Sequence, residues 1–232
     1  MEYNVSDVIE KYPEINIGVL IGKNIDNTKN IDELDAMQIE AINQAQTQIG
    51  DQPITKHPHI SSWRNLYRSF GTKPGDYRPS AEALIRRSIK TGRLPRINNV
   101  VDLYNLVSVK YIIPMGGFDL DKVDGDIHLR FSEGLEDFTP LGQSEKQQTY
   151  QGEVVYADNT RILTRRWNYR DADQTKITSS TKNIVMFLDA SPEIPNKKVQ
   201  EALETLRKLM RKYCSGKISI DTANKENLKI EL

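Results

Sequence analysis

The sequence predicts an α+β fold. Apolar residues recur at helical spacing through most of the first half of the chain, whereas the apolar period changes to two after Tyr111. Helical patterns therefore come first and strand patterns follow, with one further helical pattern near the C-terminus. This order is typical of α+β proteins and differs from the regular alternation of a βαβ repeat.

The composition is that of a soluble globular protein. The chain has 232 residues, 38% hydrophobic and 28% charged, which suits one large domain or a domain with an appended lobe. Lys plus Arg equals Asp plus Glu, 32 of each, so the formal net charge is zero. Nucleic-acid binding would consequently need a local basic patch, because the chain has no general positive charge.

The protein is expected to be cytoplasmic and not associated with a membrane. The single Cys214 excludes an intramolecular disulfide and fits a reducing compartment. No apolar run has the length of a transmembrane helix, and the N-terminal residues lack the basic and apolar regions of a signal peptide.

Residues 1–59 are predicted to form a strand–helix extension that packs on the core. Asn16 to Ile21 is a short apolar run typical of a buried strand, and Asp32 to Ile49 has the spacing of an amphipathic helix that Gly50 ends. Pro53 to His59 is expected to be a surface loop, and its two histidines lack the further donors of a metal site. No metal or cofactor is predicted anywhere in the chain.

Residues 60–195 are predicted to form the main domain. Helices are expected over 61–70, from Pro79 to Gly92, and after Asn98 or Asn99, either of which can cap the third helix. Asp124-Gly125 predicts a tight turn and a hairpin, and Asp158-Asn159 predicts a second hairpin. A strand is expected over 182–189. Residues 196–232 are predicted to be an amphipathic helix, 196–213, and a polar tail with one short strand.

Polar residues at the junctions of the central helices and strands predict a binding pocket. The corner from Pro114 to Asp119 contains Gly116-Gly117, which brings backbone close to any ligand, and Arg78, Asn98, Asn99 and Asp119 lie at neighbouring junctions. The alternative for Asp119 is turn chemistry. The sequence contains no P-loop and no nucleophile elbow, and Cys214 lies in no recognisable nucleophile setting.

Residues 161–170, RILTRRWNYR, are the most suggestive strand pattern. In a continuous strand Arg165, Trp167 and Tyr169 would share one face, and Arg166, Asn168 and Arg170 the other. Arginine with aromatic neighbours can hold a carboxylate, a phosphate or a stacked base. The alternative is a strand with one solvated face.

The central stretch resembles the B3/B4 domain of the bacterial phenylalanyl-tRNA synthetase β subunit, here in a stand-alone form. The residues that carry the resemblance are RINNVVDLYN at 96–105, PMGGFD at 114–119, DKVDGDI at 121–127, Arg130, and TKNIV at 181–185. The resemblance covers roughly residues 60 to 195.

The resemblance implies a mixed or antiparallel β core, arranged as a layered sandwich and flanked by helices. In the synthetase this domain edits, hydrolysing tyrosine mischarged onto the phenylalanine tRNA. The resemblance therefore implies a pocket for an amino acid or an aminoacyl ester and a tRNA or aminoacyl-tRNA partner. It implies no ATP site. The matched motif adds Asn105 to the candidate ligand-binding residues.

The chain departs from the family pattern at three places. Gly116 stands where the synthetase has a His, Phe187 falls near the position of a Glu, and the segment Arg165 to Asn168 replaces a glycine-rich turn. Asp189 would share the strand face of Phe187. The refilled segment predicts that Arg165 or Arg166, with Trp167 and Asn168, binds an anionic ligand.

The leading hypothesis is binding of aminoacyl-tRNA or an amino-acid-like molecule, with hydrolysis of a mischarged ester as the reaction. No general base is visible in the sequence, so catalysis is left open. The alternatives are a non-catalytic small-molecule binding protein and an RNA or protein interaction module. The oligomeric state is open as well.

Overall fold

The long apolar strand patterns assemble into two β-sheets that lie face to face, and four of the six helices cover the outer side of the smaller sheet. The computed structural model describes residues 1–232. Its helices are α1 Ser6–Lys11, α2 Leu34–Ile49, α3 Pro58–Ser69, α4 Ser80–Thr91, α5 Asn99–Tyr111 and α6 Asn196–Tyr213. Its strands are β1 Glu2–Asn4, β2 Asn16–Lys23, β3 Met115–Asp119, β4 Ile127–Phe131, β5 Asp137–Phe138, β6 Gln147–Gln148, β7 Val154–Ala157, β8 Ile162–Arg165, β9 Arg170–Asp171, β10 Ile184–Ala190, β11 Lys217–Ala223 and β12 Lys229–Glu231.

The larger sheet is mixed and the smaller sheet is antiparallel. The six-stranded sheet has the order β12-β1-β4-β7-β8-β9, in which β1 and β4 are parallel. The four-stranded sheet has the order β11-β2-β10-β3, and β5 and β6 form a separate two-stranded ribbon. The predicted α+β class with a mixed and antiparallel β core is confirmed. None of the helices combines the length and hydrophobicity needed to cross a lipid bilayer.

Aromatic rings join the two sheets. Phe187 of β10 lies 4.5 Å from the ring of Tyr3 and 4.9 Å from that of Tyr156, measured between centroids, and both tyrosines belong to the larger sheet. On the other face of the smaller sheet, α5 and α6 pack against the strands, and α2 and α4 pack on α5. A Cβ at Gly18 would lie 2.8 Å from Leu203 of α6, so glycine permits this close packing.

The two ends of the chain contribute strands to both sheets. β1 pairs with β12 in the larger sheet, and β2 pairs with β11 in the smaller one. The predicted polar tail therefore forms two strands rather than one. Ile218 and Ile220 of β11 and Ile230 of β12 place apolar side chains against the sheets. A single cluster of 60 buried residues draws on the N-terminal, central and C-terminal segments.

Several local predictions agree with the structure. Asn98 caps α5, because its side chain accepts a hydrogen bond from the N–H of Val101 at 3.1 Å. Gly92 ends α4 with φ 70°, in the left-handed region, and the hairpin between β7 and β8 turns at the predicted residues. The C-terminal helix has the predicted bounds.

Three local predictions are wrong. No hairpin forms across Asp124-Gly125, because β3 pairs with β10 and the chain then crosses to the other sheet to begin β4. The strand predicted over 161–170 is interrupted after Arg165. His57 and His59 are buried at the start of α3, 7% and 6% exposed, with their rings in edge contact and His59 bonded to the carbonyl of Ile112, so they are not in a surface loop.

Candidate functional site

A polar cavity of about 50 Å³ lies where the open edge of β3 meets β10 and the turn between β8 and β9. Its lining residues are Ser80, Met115, Gly116, Gly117, Phe118, Tyr156, Thr164, Trp167, Asn168, Tyr169, Asp171, Phe187 and Asp189. A water molecule occupies about 30 Å³ in the liquid, so the cavity has room for one or two waters beside its polar walls.

The turn that closes the cavity has an unusual backbone. Arg166 has φ 49° and Trp167 has φ 65°, although neither is a glycine. The reversal sends the indole of Trp167 into the core, 5.1 Å from the ring of Trp63, and places the Arg166 guanidinium against the ring of Tyr77. Left-handed backbone at a bulky residue is strained and persists where surrounding contacts hold it. The tryptophan packing supplies such contacts, which the sequence pattern of a regular strand does not reveal.

Asp189 is the central acceptor of the cavity. The hydroxyl of Tyr156 donates to one carboxylate oxygen at 2.6 Å, and the side-chain amide of Asn168 donates to the other at 3.1 Å. Tyr67 fixes Asn168 in turn by donating to its carbonyl oxygen at 2.9 Å. Asp189 is 3% exposed, and burial raises its pKa to about 7, while these hydrogen bonds act in the opposite direction. Its protonation therefore changes near neutral pH.

A second carboxylate faces Gly116. Asp171 accepts a hydrogen bond from Thr164 at 2.8 Å, and burial raises its pKa. A Cβ built at Gly116 would lie 3.9 Å from both carboxylate oxygens of Asp171. A larger side chain at this position would therefore enter the cavity, which the glycine leaves open.

The outer edge of β3 provides a backbone donor at Gly117. Asp189 N–H donates to the Pro114 carbonyl, and Leu120 N–H donates to the Asn183 carbonyl. Hydrogen-bonded positions alternate along an antiparallel pair, so the polar groups of Gly116 point towards β10 and those of Gly117 point away from it. Because β3 is the last strand of its sheet, the Gly117 N–H is not used by a neighbouring strand.

An apolar chamber of about 120 Å³ adjoins the polar cavity and shares Gly117, Phe118 and Asp171 with it. Ile97, Val101, Tyr104, Leu141, Ala172, Thr175, Lys176 and Ile177 form the remainder of its lining. A cavity of roughly 150 Å³ is enough for benzene in a well-studied protein core. The chamber is therefore close to the size of one large apolar side chain.

The two glycines of the corner should respond differently to substitution. A Cβ at Gly117 would lie 2.5 Å from the carbonyl oxygen of Val185, so we expect Gly117→Ala to lower the free energy of unfolding by about 1–3 kcal/mol. Gly116→Ala is the matched control, because its Cβ has ordinary contacts, and it should cost less than about 0.5 kcal/mol. Urea unfolding of both variants measures the difference, and equal destabilisation would contradict the geometry.

Four of the predicted site residues line the polar cavity: Gly116, Gly117, Trp167 and Asn168. Arg165 lies outside the lining. Its guanidinium donates to both carboxylate oxygens of Glu153, at 2.8 and 2.7 Å, and it is 4% exposed. Arg166 lies beside the cavity, with its guanidinium carbon 3.7 Å from the ring centroid of Tyr77.

The other predicted residues lie around the site rather than in it. Asn98 caps α5 and Asn99 donates to the Lys29 carbonyl, so both secure the start of the helix whose residues line the apolar chamber. Asp119 accepts a hydrogen bond from Thr181 and lies 3.1 Å from the Lys122 ammonium. Asn105 is partly buried on α5, and Arg78 is exposed.

Sequence reasoning missed Ser80, Tyr156, Thr164 and Asp171 as lining residues. Tyr156 and Thr164 are opposite each other in the β7–β8 hairpin, so the predicted hairpin carried a signal for that pair. Asp171 comes directly after the RILTRRWNYR segment, and only the left-handed turn brings it back to Thr164.

The sequence has relatives in a known family. The B3/4 domain model matches residues 62–215. The phenylalanine–tRNA ligase β subunit of Fusobacterium nucleatum is 34% identical over 100 residues, which are 43% of this chain and 12% of the relative. That of Latilactobacillus sakei is 26% identical over 151 residues, which are 64% of this chain and 17% of the relative. The chain thus matches a small part of each relative.

A solved structure is also similar. An N-terminal fragment of the phenylalanyl-tRNA synthetase β-subunit from Pyrococcus horikoshii aligns with 93% of this chain and 49% of its own, with a TM-score of 0.46 and 16% sequence identity. The family model is the stronger finding, because it covers residues 62–215 of the 232. The chain belongs to the B3/4 domain family.

Proposed function

We propose that the protein binds the aminoacyl group of a charged tRNA, or a similar amino-acid derivative, and hydrolyses its ester. The observation that carries the proposal is the Asp189 carboxylate, buried in a cavity beside an unused backbone N–H and next to an apolar chamber. The names of the relatives, all ligases for phenylalanine and its tRNA, support a tRNA-related substrate.

The two adjoining spaces fit the parts of an amino-acid ester. The apolar chamber would take the side chain, and Asp171, which lines both spaces, would pair with the α-ammonium group. The Gly117 N–H would then donate to the ester carbonyl oxygen. Each group thereby has a complementary partner, and the closeness of Asp171 favours a cationic rather than an anionic ligand in the cavity.

Hydrolysis requires a base and a stabilised oxyanion. With its pKa raised to about 7 by burial, Asp189 can take a proton from a water molecule at neutral pH. The water oxygen would bond to the carbonyl carbon, the Gly117 N–H would stabilise the negative oxygen that forms, and the ester C–O bond would break. The proton held by Asp189 would pass to the departing ribose oxygen, which restores the carboxylate.

Deacylation of charged tRNAs by the purified protein tests this proposal. A panel of correctly and wrongly charged tRNAs, including tyrosine on the phenylalanine tRNA, should contain one substrate that is hydrolysed above the uncatalysed rate. Gly116→Val should abolish that turnover, because its side chain would fill the cavity beside Asp171, while the folded structure is retained. Turnover that survives in Gly116→Val would place the reaction elsewhere.

Non-catalytic binding is the second candidate, favoured by Gly116, which contributes no side chain beside Asp171. In that case no charged tRNA is hydrolysed, yet an amino-acid ester or amide still raises the melting temperature of the protein. Loss of that stabilisation in Gly116→Val would assign the binding to the same cavity.

A further inference from the structure

Arg166 is a buried cation without a carboxylate partner. It is 7% exposed, and its Nε has no hydrogen-bond partner. The preceding Arg165, by contrast, is fully engaged by Glu153. A charged group removed from water without an opposite charge is costly, so this position is suited to a ligand that supplies the charge.

Three tyrosine rings surround the Arg166 guanidinium. Its central carbon lies 3.7 Å from the ring centroid of Tyr77, 5.5 Å from that of Tyr169 and 6.0 Å from that of Tyr150. The Tyr150 hydroxyl donates to the carbonyl oxygen of Phe70 at 3.0 Å. We call these four residues, Arg166, Tyr77, Tyr150 and Tyr169, the Arg166 cage. Stacking on aromatic faces orients the planar guanidinium, whose Nε is buried while its two terminal nitrogens make no hydrogen bond and can donate to an oxyanion.

The Arg166 cage adjoins the polar cavity. Tyr169 belongs to both, since it lines the cavity and contacts the guanidinium. Arg170 lies 5.8 Å from the same ring, and Arg78 follows Tyr77 in the chain, so two exposed arginines flank the cage. A ligand whose reactive group occupies the cavity would therefore extend across a positively charged rim.

We propose that the Arg166 cage binds a phosphodiester of the RNA 3′ end that carries the aminoacyl group. This inference rests on the proposed function for its substrate, and it assigns a separate contact for the nucleic acid. A guanidinium recognises a phosphate through two parallel N–H···O bonds. The left-handed backbone of Arg166, held by the bond from its N–H to Glu153, maintains the side chain in this position.

Binding of three small probes tests the proposal. The probes are the trinucleotide CCA, which ends every tRNA, tyrosine methyl ester and free tyrosine. Arg166→Gln should weaken CCA binding about tenfold or more, the loss expected when a charge-assisted hydrogen bond is removed, and should change ester binding less than about twofold. Arg166→Lys should weaken CCA binding by a smaller factor, because it keeps the charge but loses the planar fork.

Two further variants make the result specific. Arg87→Gln removes an exposed arginine elsewhere and should leave CCA binding unchanged at equal salt. Tyr77→Leu removes the closest ring and should weaken CCA binding even if Arg166→Gln does not fold. Arg166→Gln should also reduce the dependence of log affinity on log salt concentration, by roughly 0.7 for one single-strand phosphate contact.

The outcomes separate this proposal from the proposed function. CCA binding that is equal in the wild type, Arg166→Gln and Tyr77→Leu would overturn the phosphate site, whatever the ester does. A loss confined to free tyrosine would overturn it as well, because the cage would then be a carboxylate site. If the ester does not bind, the proposed amino-acid pocket is wrong. A CCA affinity that depends on Arg166 would still establish the phosphate site.

Discussion

Glu153→Ala should lower the free energy of unfolding by about 3–5 kcal/mol, the usual effect of breaking a buried ion pair from one side. Glu153 is fully buried and accepts two hydrogen bonds from the Arg165 guanidinium. It also accepts hydrogen bonds from the backbone N–H groups of Arg166, at 3.1 Å, and Tyr150, at 3.2 Å. Its removal leaves Arg165 buried without a counter-charge and frees the turn that carries Trp167.

Urea unfolding measures this effect, with Glu145→Ala as the matched control. Glu145 is exposed and should change the unfolding free energy by less than about 0.5 kcal/mol. The double variant Glu153→Leu with Arg165→Met should be more stable than Glu153→Ala, because it removes both charges of the pair together. Equal stability of Glu153→Ala and Glu145→Ala would show that the ion pair does not anchor the turn.

The helices and the longer strands of this fold are predictable from the sequence because their signals are local. The periodicity of α6 and the cap at Asn98 involve residues within one or two turns of each other. The crossing after β3 is different. Asp124-Gly125 has the composition of a hairpin turn, but β3 finds its partner in β10, far along the chain, so the local signal does not determine the pairing.

The candidate site is less predictable because its residues act through distant partners. Arg165 and Arg166 are adjacent residues of the same type, yet the first forms a salt bridge with Glu153 and the second is surrounded by three tyrosine rings. Asp189 looks like any strand residue until Tyr156 and Asn168 are brought to it. The corner Gly116-Gly117 could be identified because a glycine pair in the sequence indicates a place where backbone can approach a ligand. The proposed role of the Asp189 carboxylate depends on its burial, which the sequence does not show.

Asp189→Asn should reduce hydrolysis of the charged tRNA about 10²–10⁴-fold, the usual contribution of a general base. Asparagine fills the same volume and can still accept the Tyr156 hydrogen bond, but it cannot take up a proton. In the wild type the rate should rise with pH and level off above about 7, where Asp189 is ionised. Exposed Asp221 provides the control, since Asp221→Asn should retain the rate and its pH profile. A rate that falls as pH rises through 7 would exclude Asp189 as the base.

The Asp189 carboxyl group should make the folded state less stable as pH rises from 4 to 7. Burial raises the pKa of Asp189 from 3.8 to about 7, so the folded state holds this proton more tightly than the unfolded state does. The contribution of Asp189 to stability is therefore greatest below pH 4, declines as pH rises to 7, and is constant above it. Subtracting the Asp189→Asn curve from the wild-type curve cancels the groups that do not interact with Asp189, including the buried histidines. Relative to the variant, the wild type should lose stability between pH 4 and 7, so the carboxyl group that we propose as the base also lowers the stability of the fold at neutral pH.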